Sequence, residues 1–387
     1  MLSTRRKSWS IDGKNFGKFH SPCFNSNVLY GYLEKKYEEI ILQDIELGGA
    51  RVGGLAWVSF HHSAASVTAY QKTGEKRFIE QYIRFYDKLM ERRDSEVGIE
   101  DDHHDRTMNS WGSAYFGEDE WVAIITHFAV IMKPATELAL LIKTDPALAK
   151  YTTFSDEVLA YFKPAYLEYD VDLKLEDESG EKWYWRPKDE KFEATNHLHL
   201  LGQTLLNMYE LTGEEFYEER IRMIIRVFEK GVLIDDIGFV TWNYHPYFQI
   251  EEAMSDYNAR HYSEKVWKAG LTIPFLYEAD AAGFAIDQKI VDATTKTIRD
   301  HVLANNNFSS NFHPNGSVAI ENDSHGKKSK QQKAIVLFLP AAVKDSTISD
   351  LILSTVANRQ DLYSEGWLTN RMVRGYAYFL NSPSKED

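Results

Sequence analysis

Apolar side chains recur about every three to five residues along much of the chain. The segments Glu80–Met90, Glu219–Glu229 and Ala293–Leu303 show this spacing, which is nearer the period of an α-helix than that of a strand. Strand-like alternation is scarce, and its best case is the short stretch Trp183–Trp185. The pattern therefore predicts a chain built of consecutive helices.

A weak internal repeat organises these helices. An apolar helix runs into a short turn and an amphipathic helix follows, with Gly74, Asp145, Gly213 and Gly283 marking the turns at intervals of 71, 68 and 70 residues. A fifth turn, Val343–Asp350, follows about 62 residues after Gly283. Glycine accepts the left-handed conformation that commonly ends a helix. One helical hairpin with a long return loop is thus the predicted unit.

Such hairpins can stack as an open solenoid or close into an (α/α) toroid. Solenoid units usually run ~33–47 residues with short returns, whereas the returns here are long and irregular, as in loops around the mouth of a barrel. We therefore predict an all-α fold, a single (α/α) toroid over residues 1–387 with about six to seven hairpins in a complete or incomplete barrel. The polar stretch 305–332 is too long for an ordinary connection and is predicted to be a surface excursion.

Composition limits the class of function. The 387 residues are 43% hydrophobic and 26% charged, as in an ordinary soluble protein. The longest apolar stretches, Trp121–Met132 and Ala334–Val343, are about half as long as a membrane span, so we expect no membrane partner. The N-terminus lacks the apolar core of a signal peptide, which predicts a cytoplasmic protein, or a periplasmic or secreted one if a leader has been removed. One cysteine, Cys23, excludes an intrachain disulfide and a thiolate metal cluster.

Charge and aromatic content indicate which classes of molecule the protein can bind. A formal net charge of −14 repels nucleic acid, so we expect no nucleic-acid partner. Aromatic residues make up 13% of the chain; the core uses most of them, and the remainder fits a carbohydrate cleft in which flat rings stack on sugars. No GxGxxG, P-loop, GxSxG or HExxH motif occurs, which removes support for dinucleotide, nucleotide, serine-hydrolase and zinc-protease functions.

Residues able to do chemistry gather just ahead of the predicted inner helices, the ones that precede each turn. Ten of the 13 histidines fall in these junctions, and the junctions open at the barrel mouth, so we expect the substrate cleft there. The residues expected to contact substrate are Trp111, Trp185, His199, Trp242, Tyr244, His245 and Lys268. The run His103-His104-Asp105 could ligate a metal, but acidic histidine loops are mostly solvated, and we predict no metal and no cofactor.

These residue types fit β-elimination from a uronic-acid polymer. Asn, His or Arg donors must neutralise the C6 carboxylate so that the C5 proton can leave. A base, commonly Tyr or His, takes that proton, and an acid protonates the leaving glycosidic oxygen. These groups are present near the starts of successive inner helices, as Asn196, His197, Arg260 and the tyrosines Tyr244, Tyr247, Tyr257 and Tyr262.

The run ATNHLHLLGQTLLNMYELTG at Ala194–Gly213 resembles the Asn-His helix of the (α/α)-toroid alginate lyases and their glucuronan- and heparin-lyase relatives. The resemblance implies that Asn196 and His197 neutralise the substrate carboxylate. It also implies that Tyr257 or Tyr262 acts as base and acid with Arg260 close by. A lyase of the alginate, mannuronan or glucuronan type, with an anionic polysaccharide as its partner, is therefore expected.

Two other functions stay open at this point. An (α/α)-barrel glycoside hydrolase or sugar epimerase would use paired carboxylates, about 5–10 Å apart for hydrolysis. The carboxylates available for this are Glu118, Asp119, Glu120, Glu251, Glu252, Asp256 and Glu264. A non-enzymatic helical-repeat binding scaffold would explain the periodicity but not the His, Tyr and Arg residues at the junctions.

Overall fold

The computed structural model of the protein describes residues 25–47, 54–114, 120–175, 180–186, 191–246, 264–304, 334–358, 370–378 and 380. The predicted excursion 305–332 lies outside them. Within them the helices are α1 (Ser26–Leu47), α2 (Gly54–Thr73), α3 (Arg77–Met90), α4 (Asp94–Val97), α5 (Ile125–Thr144), α6 (Thr152–Leu167), α7 (Thr195–Thr212), α8 (Glu215–Gly231), α9 (Val266–Ala281), α10 (Gln288–Thr297), α11 (Thr347–Asn358) and α12 (Asn370–Tyr378). The 3₁₀ segments are Pro146–Tyr151, Glu168–Asp172 and Ile335–Val343, and a π-helical turn, Ile298–Val302, extends α10.

The described strands are short and lie in the return loops. An antiparallel sheet contains β1 (Leu173–Leu175), β2 (Lys182–Arg186) and β3 (Lys191–Phe192) in that order. A separate hairpin pairs β4 (Leu233–Ile234) with β5 (Val240–Thr241). Strand β2 contains the one strand-like stretch that the sequence pattern predicts.

An inner ring of helical elements closes on itself. In order around the ring, α2, α5, α7, α9, the 3₁₀ segment Ile335–Val343 and α12 each pack on the next, and α12 packs on α2. The described part of an outer layer covers this ring, with α3 against α2, α6 against α5, α8 against α7 and α11 against the 3₁₀ segment. The protein is therefore an all-α toroid, as the sequence predicts.

Side-chain patterns explain which helices are inside. Every residue of α7 from Thr195 to Met208 is buried, because an inner helix has protein on all sides. In the outer helix α3 the buried residues, including Phe78, Tyr82, Phe85 and Leu89, fall on one face at helical spacing. Helix α5 is long and apolar enough to cross a membrane by length and composition, yet 83% of that apolar window is buried in the protein. It is the ring helix between α2 and α7.

The predicted turns end the inner helices. Gly74, Gly213 and Gly283 adopt φ values of 70°, 72° and 86°, in the left-handed region that glycine enters without steric cost. At the first two turns the glycine N–H donates to the carbonyl four residues earlier, at 2.7 Å in each case. Gly213 therefore lies at the C-terminal end of α7, whereas Asn196 and His197 lie in its first turn. In α7 the histidine junction and the glycine turn are therefore at opposite ends.

Candidate active site

A fully buried carboxylate stands at the start of α7. Glu193 accepts hydrogen bonds from the Thr126 hydroxyl at 2.6 Å and from the Ala194 N–H at 2.9 Å. Its Oε1 also lies 2.8 Å from Nδ1 of His197 and 3.8 Å from the Arg186 guanidinium. Burial alone would raise the pKa of Glu193, but Arg186, His197 and the Thr126 hydroxyl outweigh it and hold that pKa well below its usual range. Glu193 is therefore ionised at any pH near neutrality.

An ionised Glu193 determines the tautomer of His197. A carboxylate can only accept hydrogen bonds, so Nδ1 of His197 must carry the proton that the two groups share. In a neutral imidazole this leaves Nε2 as the acceptor. The adjacent negative charge also stabilises the imidazolium that forms when Nε2 takes up a proton. The pair is a carboxylate–histidine dyad suited to general-base chemistry.

Aromatic rings border His197. The Trp57 ring, on α2, lies 5.2 Å away between centroids and is tilted by 48°. The Tyr244 ring approaches edge-on at 6.0 Å, and the His245 ring packs 4.8 Å from Tyr244. Trp57, Tyr244 and His245 are all partly exposed. They can therefore offer ring faces to a sugar next to the dyad.

The segment Trp242–Tyr244 joins the starts of two ring helices. The Thr195 N–H, at the start of α7, donates to the Tyr244 carbonyl at 2.8 Å. The Glu264 N–H, just ahead of α9, donates to the Trp242 carbonyl at 3.1 Å. This backbone bridge brings the residues before α9 beside those of the dyad.

Glu264 and Lys268 form a second pair of titratable residues at this end of the ring. Glu264 is 1% exposed, and its Oε2 has no hydrogen-bond partner among the described residues. Burial raises the pKa of Glu264, with partial compensation by Lys268. Burial lowers the pKa of Lys268, whose Nζ lies 3.1 Å from the centroid of the Tyr244 ring. Lys268 thus contacts Tyr244, which in turn contacts His197, and Glu264 lies one helical turn before Lys268.

The structure brings together several residues predicted from the sequence. Asn196 is 2% exposed, directly precedes His197, and its Oδ1 has no partner within the described part of the chain. Tyr244, His245 and Lys268 lie around the dyad as described above. Trp185 is partly exposed on β2, next to Arg186, with the Phe192 ring edge-on at 5.0 Å and the Lys174 Nζ 4.4 Å from its centroid.

Three other predicted residues lie in the core. Trp111 is 2% exposed and donates from Nε1 to the Leu89 carbonyl at 2.7 Å. His199 is fully buried, stacks on Phe275 and pairs with the Thr272 hydroxyl at 3.0 Å, and burial lowers its pKa to about 3. The Trp242 side chain is 2% exposed and acts on Glu264, and its backbone carbonyl accepts from the Glu264 N–H. The following predicted residues lie outside the described residues: Tyr257, Arg260, Tyr262, Glu118, Asp119, Glu251, Glu252 and Asp256.

Sequence reasoning missed Glu193 and Thr126. The available signal was the four-residue spacing of Glu193 and His197, which places two side chains on one face at the start of a helix. Thr126 gives no local signal, since it comes from α5 and meets Glu193 only through the packing of α5 on α7.

The histidine pair of the 101–106 loop has a structural role. His104 bridges two carboxylates, with Nδ1 2.8 Å from Asp101 and Nε2 3.1 Å from Asp172. Although burial opposes the charge, these two partners raise the pKa of His104 to about 9. The bridge fastens the loop to the 3₁₀ segment Glu168–Asp172. No cluster of three metal-ligating side chains occurs among the described residues.

No protein-family model matches this sequence, and no curated protein matches it significantly. Solved structures do resemble the fold. Cellobiose 2-epimerase from Bacillus thermoamylovorans B4167 aligns with a TM-score of 0.51 at 12% identity, over 84% of this chain and 86% of that one. A glycosyl hydrolase of family 88 from Bacteroides vulgatus aligns with a TM-score of 0.50 at 12% identity, over 89% and 97%. At this identity the likeness shows the toroid fold.

Proposed function

We propose that the protein is a polysaccharide lyase that cleaves a uronic-acid-containing polymer by β-elimination. The observation that carries the proposal is the Glu193–His197 dyad, in which Nδ1 of the histidine lies 2.8 Å from a buried carboxylate. In the proposed reaction Nε2 of His197 takes the C5 proton of a uronate, and Glu193 stabilises the resulting imidazolium. The partly exposed Trp57 ring beside His197 provides a face on which the sugar ring can stack.

Substrate neutralisation is assigned to Lys268 and Asn196. The electron density left at C5 spreads into the C6 carboxylate, so a cation or amide donor must stabilise the charge that develops there. The Nζ of Lys268 lies against a neutral ring, that of Tyr244. The Arg186 guanidinium, in contrast, already has an acidic neighbour, because it lies 3.8 Å from the Glu193 carboxylate. A bound carboxylate would favour the charged form of Lys268, whose pKa burial lowers.

The arrangement favours elimination over glycoside hydrolysis. Hydrolysis needs two carboxylates with oxygens available to the substrate and to water. Donors from Thr126, Ala194 and His197 occupy both oxygens of Glu193. Among the residues described around the dyad, this leaves Glu264 as the carboxylate that could serve as an acid.

The test is the absorbance near 235 nm during incubation with alginate and with glucuronan, because only elimination creates the unsaturated uronate. We expect the absorbance to rise with the wild-type protein and to stay flat with His197→Gln. His103→Gln replaces a histidine outside the dyad and should retain wild-type turnover. No rise with any uronan would contradict the proposal. A His197→Gln protein that is folded by circular dichroism and still active would contradict the role of His197.

The tyrosine assignment remains a prediction. If Tyr257 or Tyr262 is the base, replacing it with Phe should lower turnover by ~10²–10⁴-fold, with the fold retained. If His197 is the base, neither change should reach that magnitude. The same assay therefore decides between the two assignments.

Sugar epimerisation is the second candidate. It begins with the same proton removal next to a carbonyl carbon, and one structure with this fold is a cellobiose 2-epimerase. Proton NMR of cellobiose incubated with the protein would reveal a new epimer. An epimer signal without any absorbance at 235 nm would favour this candidate.

A further inference from the structure

Glu264 is a buried carboxyl group that the dyad does not use. It lies between β5 and α9, and its N–H is fixed to the Trp242 carbonyl. One side-chain oxygen accepts from the Lys265 N–H at 3.1 Å. The other, Oε2, has no partner among the described residues although the side chain is 1% exposed. The Trp242 side chain also favours the carboxylate, yet burial outweighs the described donors, so this carboxyl group is suited to holding a proton.

Backbone and side-chain contacts connect Glu264 with the dyad. The backbone of Trp242–Tyr244 contacts the start of α9 at one end and the start of α7 at the other. One helical turn beyond Glu264, the Lys268 Nζ covers the Tyr244 ring, whose edge meets the His197 ring. Glu264 and His197 therefore border the same end of the ring from two neighbouring inner helices.

We propose that Glu264 is the general acid of the elimination, donating its proton to the glycosidic oxygen as that oxygen leaves C4. This inference rests on the proposed lyase function. It differs from the sequence expectation that a single tyrosine is both base and acid, since base and acid now come from different helices.

Two proton transfers, one to His197 and one from Glu264, accompany the cleavage. Nε2 of His197 takes the C5 proton, and the electron pair of that C–H bond first spreads from C5 into the C6 carboxylate. The pair then forms the C4–C5 double bond as the C4–O bond breaks. The Glu264 O–H bond breaks at the same time, and its proton goes to the departing oxygen, which becomes the hydroxyl of a new reducing end. His197 ends as an imidazolium and Glu264 as a carboxylate, and exchange of one proton with solvent restores both.

The groups facing Glu264 agree with this role. Lys268 and Lys265 are the cations that act on it, and both favour the carboxylate, but burial dominates and raises its pKa. Glu264 is thus protonated over a wider pH range than an exposed glutamate. Lys268 then stabilises the carboxylate that is left once the proton has gone.

The experiment compares Glu264→Gln with wild type in two measurements on a uronan that the wild type cleaves. Glutamine keeps the volume and an acceptor oxygen but has no acidic proton. We expect the rate of absorbance change at 235 nm to fall at least ~100-fold and the alkaline limb of its pH profile to disappear. Exchange of the C5 proton in D₂O, followed by NMR, should continue because His197 is intact. Glu278→Gln, at a half-buried glutamate near the other end of α9, should keep the wild-type pH profile.

Each outcome has a distinct meaning. A folded Glu264→Gln protein with wild-type turnover, or with exchange lost together with cleavage, overturns the inference and leaves the lyase proposal standing. A wild-type protein with neither cleavage nor exchange overturns both. If Glu264→Gln does not fold, Glu264→Asp replaces it: a lower rate with the alkaline limb retained but displaced supports the role, and an unchanged rate and limb contradict it.

Discussion

Glu193 shows how one residue can determine the chemistry of another without meeting the substrate. Protein groups occupy both of its oxygens, so its effect on a sugar passes through His197. The negative charge keeps the proton on Nδ1 and favours the imidazolium, two effects that an uncharged side chain of the same shape lacks. Glu193 is therefore a positioning residue, and its replacement should affect turnover more than binding.

Glu193→Gln should lower kcat on the accepted uronan by ~10²–10⁴-fold while KM changes little. The amide can donate a hydrogen bond to Nδ1, which reverses the tautomer, and it no longer stabilises the imidazolium. Thr126→Val is the matched control, because it removes one donor to Glu193 and leaves the charge; its loss should be much smaller. Equal losses in the two variants, or a rise in KM alone, would contradict the positioning role.

Asp94 illustrates a buried carboxylate that costs stability. It is 1% exposed and accepts hydrogen bonds from the Gly112 N–H at 2.9 Å and the Trp121 Nε1 at 3.0 Å, both at Oδ2. Burial raises the pKa of Asp94 to about 7. The folded state therefore binds this proton more tightly than the unfolded chain. The stabilisation that comes from this tighter proton binding is fully present below about pH 4 and is lost as the pH rises towards 7.

Asp94→Asn should remove this dependence on pH. The amide oxygen can accept both hydrogen bonds, and it carries no charge to bury. In urea unfolding, the free energy of unfolding of the variant should rise relative to that of wild type between about pH 4 and about pH 8. The relative increase should be on the order of a few kcal/mol. Parallel curves for the two proteins over this range would show that Asp94 does not titrate as described.

Among the elements, the inner helices were the most predictable. Their apolar runs and the glycines after Thr73 and Thr212 are local signals, and both ring and turns follow from them. Trp111 and His199 were assigned to the cleft because they precede or begin an inner helix, yet both lie in the core. Helical periodicity gives the face on which a residue lies, but in a helix buried on all sides every face is inside. Which side chain reaches the cleft then depends on neighbouring helices, as Thr126 shows for Glu193.

Helices α7 and α9 approach closely at Gly202. A Cβ on Gly202 would overlap Cε2 of Phe275, a buried ring that stacks on His199 and has little room to move. Gly202→Ala should therefore destabilise the protein by ~1–3 kcal/mol. Gly31→Ala, at an exposed position of α1 with no atom within 4 Å of the new Cβ, should stabilise it by up to ~1 kcal/mol. Urea unfolding measures both, and a neutral Gly202→Ala would show that the two helices can separate.

At the scale of the whole molecule, the toroid resolves an apparent conflict of charge. The protein carries a formal net charge of −14, but the proposed substrate is a polyanion. The ring places the N-terminal ends of α5, α7 and α9 together, and helix N-termini carry partial positive charge. Arg186 and Lys268 add cationic side chains at the same end. The local field in the cleft can therefore differ in sign from the net charge.

This polarity predicts where a uronan will protect the backbone. Helix α7 is 18 residues long, so its first turn and Gly213 are about 27 Å apart at ~1.5 Å per residue. With the slow Glu264→Gln protein and alginate oligosaccharides, hydrogen exchange should slow around Trp57, His197 and the Trp242–Tyr244 segment. It should stay unchanged beyond Gly213 and Gly283, at the other end. Glucose oligomers without carboxylates should protect neither end, because they lack the group that Lys268 is proposed to bind. Protection confined to the glycine turns would place the polymer on the opposite face and contradict the cleft described here.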